Sequence, residues 1–472
     1  MNSKRLIVNR ANLERGVALE RGTMEFEEQI EQLKDSLTAQ DISLFREKFL
    51  ELHVYEQSQV YLSLSDNERL NLYNFLSPKE MADMFEVLEE EEESVEKYLE
   101  EMNPQYAADM LSEMYRDNAV DMLNQLEPAT IKKYLSLMPS EDVDGIKRLL
   151  NYEDDTAGSI MTTEYVSIFA NQTIKSAMAI LKKKAPEAET IYYVYVVELN
   201  RKLVGVISLR DLIVHEDDEM ISDIMGDRLV YVNVNDDQRD VARTMQDYDF
   251  LAIPVVDNGE RLIGIITIDD IIDVINDEAA SDYSGLAGVD VDEKSENPFV
   301  VASKRLPWLI ILLFLGIGTS TLISNYEEMI SEASILAVFI SLITGTAGNA
   351  GTQSLAVAVR KLADSDDNKR SFRKLILSEI ASGLITGVVT GVTIFLAVGL
   401  WQQNYILGLV IGIAMLAAIT IANLAGSFIP ILMERIGFDP AVASGPFITT
   451  LTDLTSVLIY FNIAALFMNY LV

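Results

Sequence analysis

One carboxylate, Asp453, stands inside an apolar stretch, within Thr449-Thr450-Leu451-Thr452-Asp453-Leu454-Thr455-Ser456. Ionised groups in such surroundings are costly and rare, and by default they mark a substrate or ion pathway. A structural hydrogen bond to a neighbouring helix is the plain alternative. A second segment, Gly345-Thr346-Ala347-Gly348-Asn349-Ala350-Gly351-Thr352-Gln353-Ser354, has hardly a bulky apolar side chain. It reads as buried in protein or lining water, with an unwound backbone as one way to do so. Glu379 lies near Lys374 and reads as a snorkelling residue at a helix end. Outside the apolar part, Glu89 to Glu93 form an unbroken acidic run. Asp269, Asp273 and Asp277 fall at i, i+4 and i+8, with Asp270, Glu278 and Asp282 alongside. Like charges at that spacing destabilise a helix unless a cation neutralises them, and a solvated surface is the bland alternative.

The elements that must hold these groups follow from charge and hydropathy. The chain has 472 residues and a formal net charge of −36, with a positive mean hydropathy of +0.16. Nine of its 37 basic residues and ten of its 73 acidic ones fall from Ser303 onward. That leaves 28 against 63 before it, a net −35. An acidic soluble part is therefore joined to a nearly neutral apolar part. The acidic part excludes nucleic acid and anionic headgroups as partners and attracts cations. Zero Cys removes disulfides, thiolate zinc, thiol catalysis and iron–sulfur clusters. No cleaved signal peptide is expected from the polar segment Met1–Arg21.

Five runs are long enough to cross a bilayer: Leu306–Ser324, Ala333–Val359, Leu375–Leu400, Tyr405–Met433 and Val442–Leu471. All nine basic residues lie before the first run, between the second and third, or between the fourth and fifth. By the positive-inside rule the N-terminal part is cytoplasmic and the C-terminus outside a multi-pass cell-membrane protein in contact with lipid. Gly383, Gly387 and Gly391, with Gly408 and Gly412, suit close helix packing, within the chain or at a dimer seam. Asp453 lies about 17 Å along a helix from Val442, near mid-membrane. Hard oxygen ligands without Cys or intramembrane His favour Mg²⁺ or Ca²⁺. One Asp cannot surround an ion, so a hydrated Mg²⁺ held by two symmetry-related chains, a homodimer with an axial pore, is the expectation. Enzymatic activity is not expected. An intramembrane aspartyl hydrolase needs two carboxylates meeting at depth, but Asp439 lies roughly 21 Å from Asp453 on a continuous helix. An ATP-driven pump lacks its phosphate loop and phosphorylation motif. A secondary transporter coupling Asp453 to H⁺ or Na⁺ stays open.

In the soluble part, Ile160-Met161 through Arg210-Asp211 repeats as Ile224-Met225 through Asp269-Asp270, with about five extra residues around Lys182–Thr190 in the first copy. Leu203-Val204-Gly205-Val206-Ile207-Ser208 matches Leu262-Ile263-Gly264-Ile265-Ile266-Thr267. Each copy reads strand, helix, strand, Gly turn, strand, helix, which resembles a tandem CBS module. That resemblance makes Ser208, Asp211, Thr267 and Asp270 candidate nucleotide contacts, although the same spacing is a helix cap. Before it, helix starts at Pro78, Pro104, Arg116, Pro128 and Pro139 suggest short stacked helices.

The whole order resembles the MgtE family of magnesium channels. The resemblance is carried by Tyr152-Glu153-Asp154-Asp155-Thr156-Ala157-Gly158-Ser159-Ile160-Met161, Arg305-Leu306-Pro307-Trp308-Leu309, Gly348–Ser354, Gly437-Phe438-Asp439-Pro440-Ala441 and Thr449–Asp453. Ser456 departs from the family's expected Gly. The resemblance implies a multi-domain membrane protein: an all-α superhelical N domain (1–150), an α/β tandem CBS domain (151–276), a linker and connecting helix (277–305, the helix around Glu296–Leu306), and a five-helix transmembrane domain (306–472). It implies a homodimeric Mg²⁺ channel for uptake. Asp453 would be the selectivity carboxylate, with Asp439 at the cytoplasmic mouth and Asn349, Thr449 and Thr450 along the path. Regulatory Mg²⁺ would bind between the acidic N-terminal and CBS surfaces, at Glu89, Glu93, Asp269, Asp270, Asp273, Asp277, Glu278 and Asp282. Its binding would close the pore by negative feedback, with ATP as a modulator.

Overall fold

The computed structural model describes residues 26–88, 95–289, 291, 297–363, 368–436 and 445–471. The chain divides into two compact units, Met1–Ile275 and Asn276–Val472. Glu89, Glu93 and Asp439 lie outside the described residues.

The first unit begins with short helices whose starts the sequence announces. Ser77 accepts the Glu80 amide while Glu80 reaches back to the Ser77 amide, and Pro78 opens the helix Pro78–Phe85. Asn103 caps Pro104–Glu113, and Pro128–Leu135 and Ser140–Leu149 come after it. None of these helices can bury its apolar stripe alone, so they stack on Tyr61, Phe85, Tyr98 and their neighbours. Arg69, almost fully buried there, is matched by Glu101 at 2.7 Å.

The CBS repeat folds as two sheets of one design. β1 (Ser167–Phe169) pairs parallel with β2 (Tyr193–Val197), which pairs antiparallel with β3 (Leu203–Ser208). β4 (Val232–Asn233), β5 (Ala252–Val256) and β6 (Leu262–Thr267) repeat this order. Register shifts fall at matching places, Val196/Val197 and Val255/Val256. The copies interlock through their Ile-Met starts. Met161 of the first copy occupies the space a Cβ on Gly264 would need, and Met225 of the second does the same at Gly205. Only glycine leaves room for the thioether, so the Gly turn of each copy is a socket for the other.

From the end of β6 the acidic helix Ile268–Ala287 begins. It stops where Gly288 takes φ 66°, a left-handed position that glycine adopts without strain. The segment around Glu296–Leu306, expected as a connecting helix, falls at the start of a 27-residue helix, Pro298–Ser324. Asn297 caps it and Pro298 opens it. Pro307 lies inside this helix without ending it.

Among its described residues the second unit holds five helices long and apolar enough to cross a membrane: Pro298–Ser324, Ile335–Leu362, Arg373–Trp401, Tyr405–Met433 and Gly445–Leu466. They are called the first to fifth membrane helices below. The glycines serve contacts within the chain. Added Cβ atoms on Gly387 and Gly391 would come within 2.9 Å of the Leu416 carbonyl and 2.6 Å of the Gly412 carbonyl, so the third and fourth helices touch backbone to backbone. Gly426 meets the Gly351 carbonyl of the second helix more closely still. Gly426→Leu should therefore force these helices apart, at about 1–3 kcal/mol or more. A lowered unfolding temperature in detergent is the expected reading; an unchanged one would contradict this packing. The polar stretch 345–354 is continuous α-helix, not unwound, because its small residues let neighbouring helices in while its backbone stays satisfied.

Candidate functional site

Among the described residues, carboxylates stand out in two places, a cluster of three in the first unit and a single one in the second. In the first unit, Asp117 lies in the first turn of the helix Arg116–Asn124, Glu189 precedes β2, and Asp270 opens the helix Ile268–Ala287. One oxygen from each lies within 4.8 Å of the others. Asp117 is 5% exposed, and its Oδ1 and the Oε2 of Glu189 have no hydrogen-bond partner among the described residues. Asp270 accepts the Thr267 hydroxyl at 2.6 Å and the Thr267 amide at 3.2 Å.

Burial raises all three. It holds the Asp117 carboxyl well above the usual range, Glu189 at about 7 and Asp270 at about 6, with neighbouring carboxylates adding to each rise. At an effective dielectric near 20, two charges this close repel by roughly 3 kcal/mol. Buried, mutually repelling carboxylates, two of them each with an oxygen left without a partner among the described residues, are what a hard divalent cation relieves, so these donors fit Mg²⁺. The cluster joins the N-terminal helices to the CBS repeat. Of the described acidic positions expected to bind cations, Asp270 alone is in it. Asp269, Asp273 and Asp277 are exposed along the same helix, with Glu278 and Asp282 half-buried. Asp117 and Glu189 escaped sequence reasoning. Asp117 looks like any first-turn acid. Glu189 had one signal, since it falls in the extra residues of the first repeat.

In the second unit, Asp453 lies on the fifth helix, half-buried against the second. A Cβ on Gly348 would be 3.8 Å from its Oδ1 and 3.1 Å from Thr449 Cγ2. The Thr449 and Thr450 hydroxyls donate to the Gly445 and Pro446 carbonyls, each at 2.9 Å, leaving their oxygens able to accept from water. Asn349, next to Gly348, is exposed. Glu379 does not snorkel. It is 8% exposed, with the Ser354 hydroxyl 2.9 Å from its carboxylate and 2.7 Å from the Asn423 carbonyl. The Ser354 hydroxyl of the second helix thus stands between Glu379 on the third and the Asn423 carbonyl on the fourth. Ser456 Oγ is buried without a partner among the described residues.

The nucleotide candidates are found in the capping arrangement. The Ser208 hydroxyl lies 2.6 Å from the Asp211 carboxylate and 3.2 Å from the Asp211 amide, a reciprocal cap, and Thr267 pairs likewise with Asp270.

The transmembrane MgtE profile, described as a divalent cation transporter, matches residues 340–463. The profile of the MgtE intracellular N domain matches 52–155, and two CBS domains match 157–217 and 221–277. The magnesium transporter MgtE of Enterococcus faecalis is 66% identical over 448 residues, covering 95% of this chain and 99% of its own. The chain belongs to the MgtE family. The MgtE of Bacillus subtilis is 42% identical, covering 71% of this chain and 75% of its own. A crystal structure of the soluble part of a magnesium transporter is 61% identical with a TM-score of 0.53, covering 54% of this chain and all of that one. In this MgtE chain the two carboxylate sites fall in different units: Asp453 on the fifth membrane helix, and the buried trio in the acidic unit.

Proposed function

We propose that this protein transports magnesium across the cell membrane as a homodimeric, Mg²⁺-selective channel for uptake. The observation that carries the reading is Asp453, a half-buried carboxylate on the fifth helix, flanked by the small, polar face of the second. Mg²⁺ sheds its waters reluctantly, so one carboxylate from each of two chains can hold it through those waters. Thr449, Thr450, Asn349 and Asp439 would line its route. That no residue of the first membrane helix is fully buried among the described residues supports a partner there, lipid or the second protomer. The basic residues flanking the helices support a cytoplasmic soluble part and an outward C-terminus.

The trio Asp117, Glu189 and Asp270 is the cytosolic sensor. With little Mg²⁺ it repels and favours separation of the N-terminal and CBS parts. Bound Mg²⁺ draws them together and closes the pore, an effect equal to the difference in Mg²⁺ affinity between the two arrangements. This is negative feedback on uptake. Exposed acids such as Asp269, Asp273 and Asp277 add to the attraction for cations. ATP modulation would use Ser208 and Asp211, because Asp270 is engaged in the trio.

Single-channel recording in lipid bilayers, with Mg²⁺ varied on the soluble side, tests the whole reading. Unitary currents that fall in open probability as cytoplasmic Mg²⁺ reaches millimolar levels are expected. Saturating turnover without unitary events would overturn the channel. Protease resistance of the soluble half should rise over the same range, and a flat response would remove the sensor.

A further inference from the structure

The face between the N-terminal helices and the CBS repeat holds a second feature, opposite in sign to the carboxylate trio. A cavity of about 380 Å³ is lined from the N-terminal side by Arg116, Arg148 and Tyr152, and from the CBS side by Lys184, Arg201 and Tyr165. That volume is in the range of small-molecule sites. Basic residues are scarce in a part of the chain carrying 28 of them against 63 acids, yet four converge here.

Arg116 is already balanced, pairing with Glu164 at 2.8 Å and donating to the Thr163 hydroxyl at 2.9 Å. Its guanidinium side chain fills the space a Cβ on Gly145 would take, so the arginine is fixed in the wall. Arg148, Lys184 and Arg201 form no ion pair among the described residues. Arg148 donates from Nε only to its own helix, at the Asp144 carbonyl. Arg148 and Lys184 lie in the last turns of their helices, where the dipole accounts for a cation but not for its aim into a shared cavity. Arg201 is in a hairpin turn with φ 66°, where no dipole explains it. Burial raises the tyrosines' hydroxyl pKa, while the Arg148 charge pulls Tyr152 and the Arg201 charge pulls Tyr165 back down. Leu262 and Ile263 add an apolar wall.

We infer that this cavity is an effector site for a polyphosphorylated anion, with the phosphates on Arg148, Lys184 and Arg201 and, for a nucleotide, the base against Tyr152 and Tyr165. Arginine forks and a lysine charge suit phosphate oxygens. The site is distinct from the Ser208/Asp211 pair, which does not line the cavity. Because its walls belong to both parts, the anion favours the same apposed arrangement as Mg²⁺ at the trio. Each ligand then raises the apparent affinity of the other. This coupling, though not the binding, rests on the sensor reading above.

The test uses full-length protein in detergent with ADP and pyrophosphate as probes. Calorimetry without Mg²⁺ should show binding that weakens at least tenfold in Arg148→Gln/Arg201→Gln and in the independent variant Lys184→Glu, but not in Asp211→Asn. Equal binding of both probes assigns recognition to the cations, and tighter ADP binding brings in the tyrosine wall; either supports the site. No binding, or binding lost in Asp211→Asn and kept in the arginine variant, overturns it. At buffered free Mg²⁺, either probe should lower the midpoint of protease protection several-fold. Binding that leaves the midpoint unmoved overturns the coupling. Asp270→Asn separates the readings: it should raise the Mg²⁺ midpoint while leaving metal-free anion binding intact.

Discussion

Asp453→Ala is expected to reduce Mg²⁺ flux at least 100-fold, about 2.7 kcal/mol of barrier, while the protein still folds and assembles. The fold should survive because the Asp453 carboxylate makes no hydrogen bond among the described residues, and it faces the bare backbone of Gly348 on the second helix. Nothing else in the fifth helix could replace it. The neighbouring threonines give neutral oxygens, and their hydroxyl protons are spent on the helix's own carbonyls. A divalent ion held through its waters needs a negative charge to offset its lost hydration, and without Asp453 the proposed path has none on the fifth helix. Radiotracer or fluorescent-indicator uptake into proteoliposomes measures the flux, and size-exclusion chromatography the assembly. Uptake equal to wild type would move the selectivity site elsewhere.

The second large effect concerns the buried trio. In the metal-free protein, Glu189 at about 7 and Asp270 at about 6 are raised by burial and by neighbouring carboxylates. A carboxyl whose folded pKa is raised contributes stability at low pH, and that contribution is lost as pH rises through the folded value. Without Mg²⁺, apposition of the N-terminal and CBS parts should therefore be strongest below about pH 4 and fade as pH rises to about 7. With Mg²⁺ the order reverses in importance: the ion needs deprotonated ligands, so its protective effect grows over the same window. Proteolysis or hydrogen exchange at Asp117 and Glu189 across this range reads both curves. Asp117→Asn/Glu189→Gln/Asp270→Asn should flatten the pH dependence and raise the Mg²⁺ midpoint at least tenfold. Protection that strengthens with pH in metal-free protein would contradict the trio as a repelling cluster.

Much of the architecture is legible locally. Hydropathy over some twenty residues marks a membrane helix wherever it packs, and the Ser-Pro-x-Glu and Asn-Pro starts mark helices by completing their own caps. The CBS repeat shows as a repeat because each copy needs the same turn glycine. Less legible was what the glycines touch. Gly383, Gly387 and Gly391 announce close approach but not the partner, and the structure gives them the fourth helix of the same chain. The extent of the connecting segment is less legible for a similar reason. Asparagine at 297 and proline at 298 cap a helix start, and no residue between Ser303 and Leu306 interrupts that helix before it enters the apolar run.

By itself the sequence determined that an acidic part of net −35 precedes five apolar helices, that a strand-and-helix unit occurs twice, and that one carboxylate lies deep in the fifth helix. These properties reside in neighbouring residues, where periodicity, capping and charge act over a few turns. Only the tertiary structure decided that Asp270 meets Asp117 and Glu189, that Glu379 is buried on Ser354, and that Arg148 faces Lys184 and Arg201 across a cavity. Such groups come from elements up to about 150 residues apart, and no local pattern records them. Their proximity arises because short helices and small sheets bury their apolar faces against one another, and the polar groups at those seams go where the packing takes them.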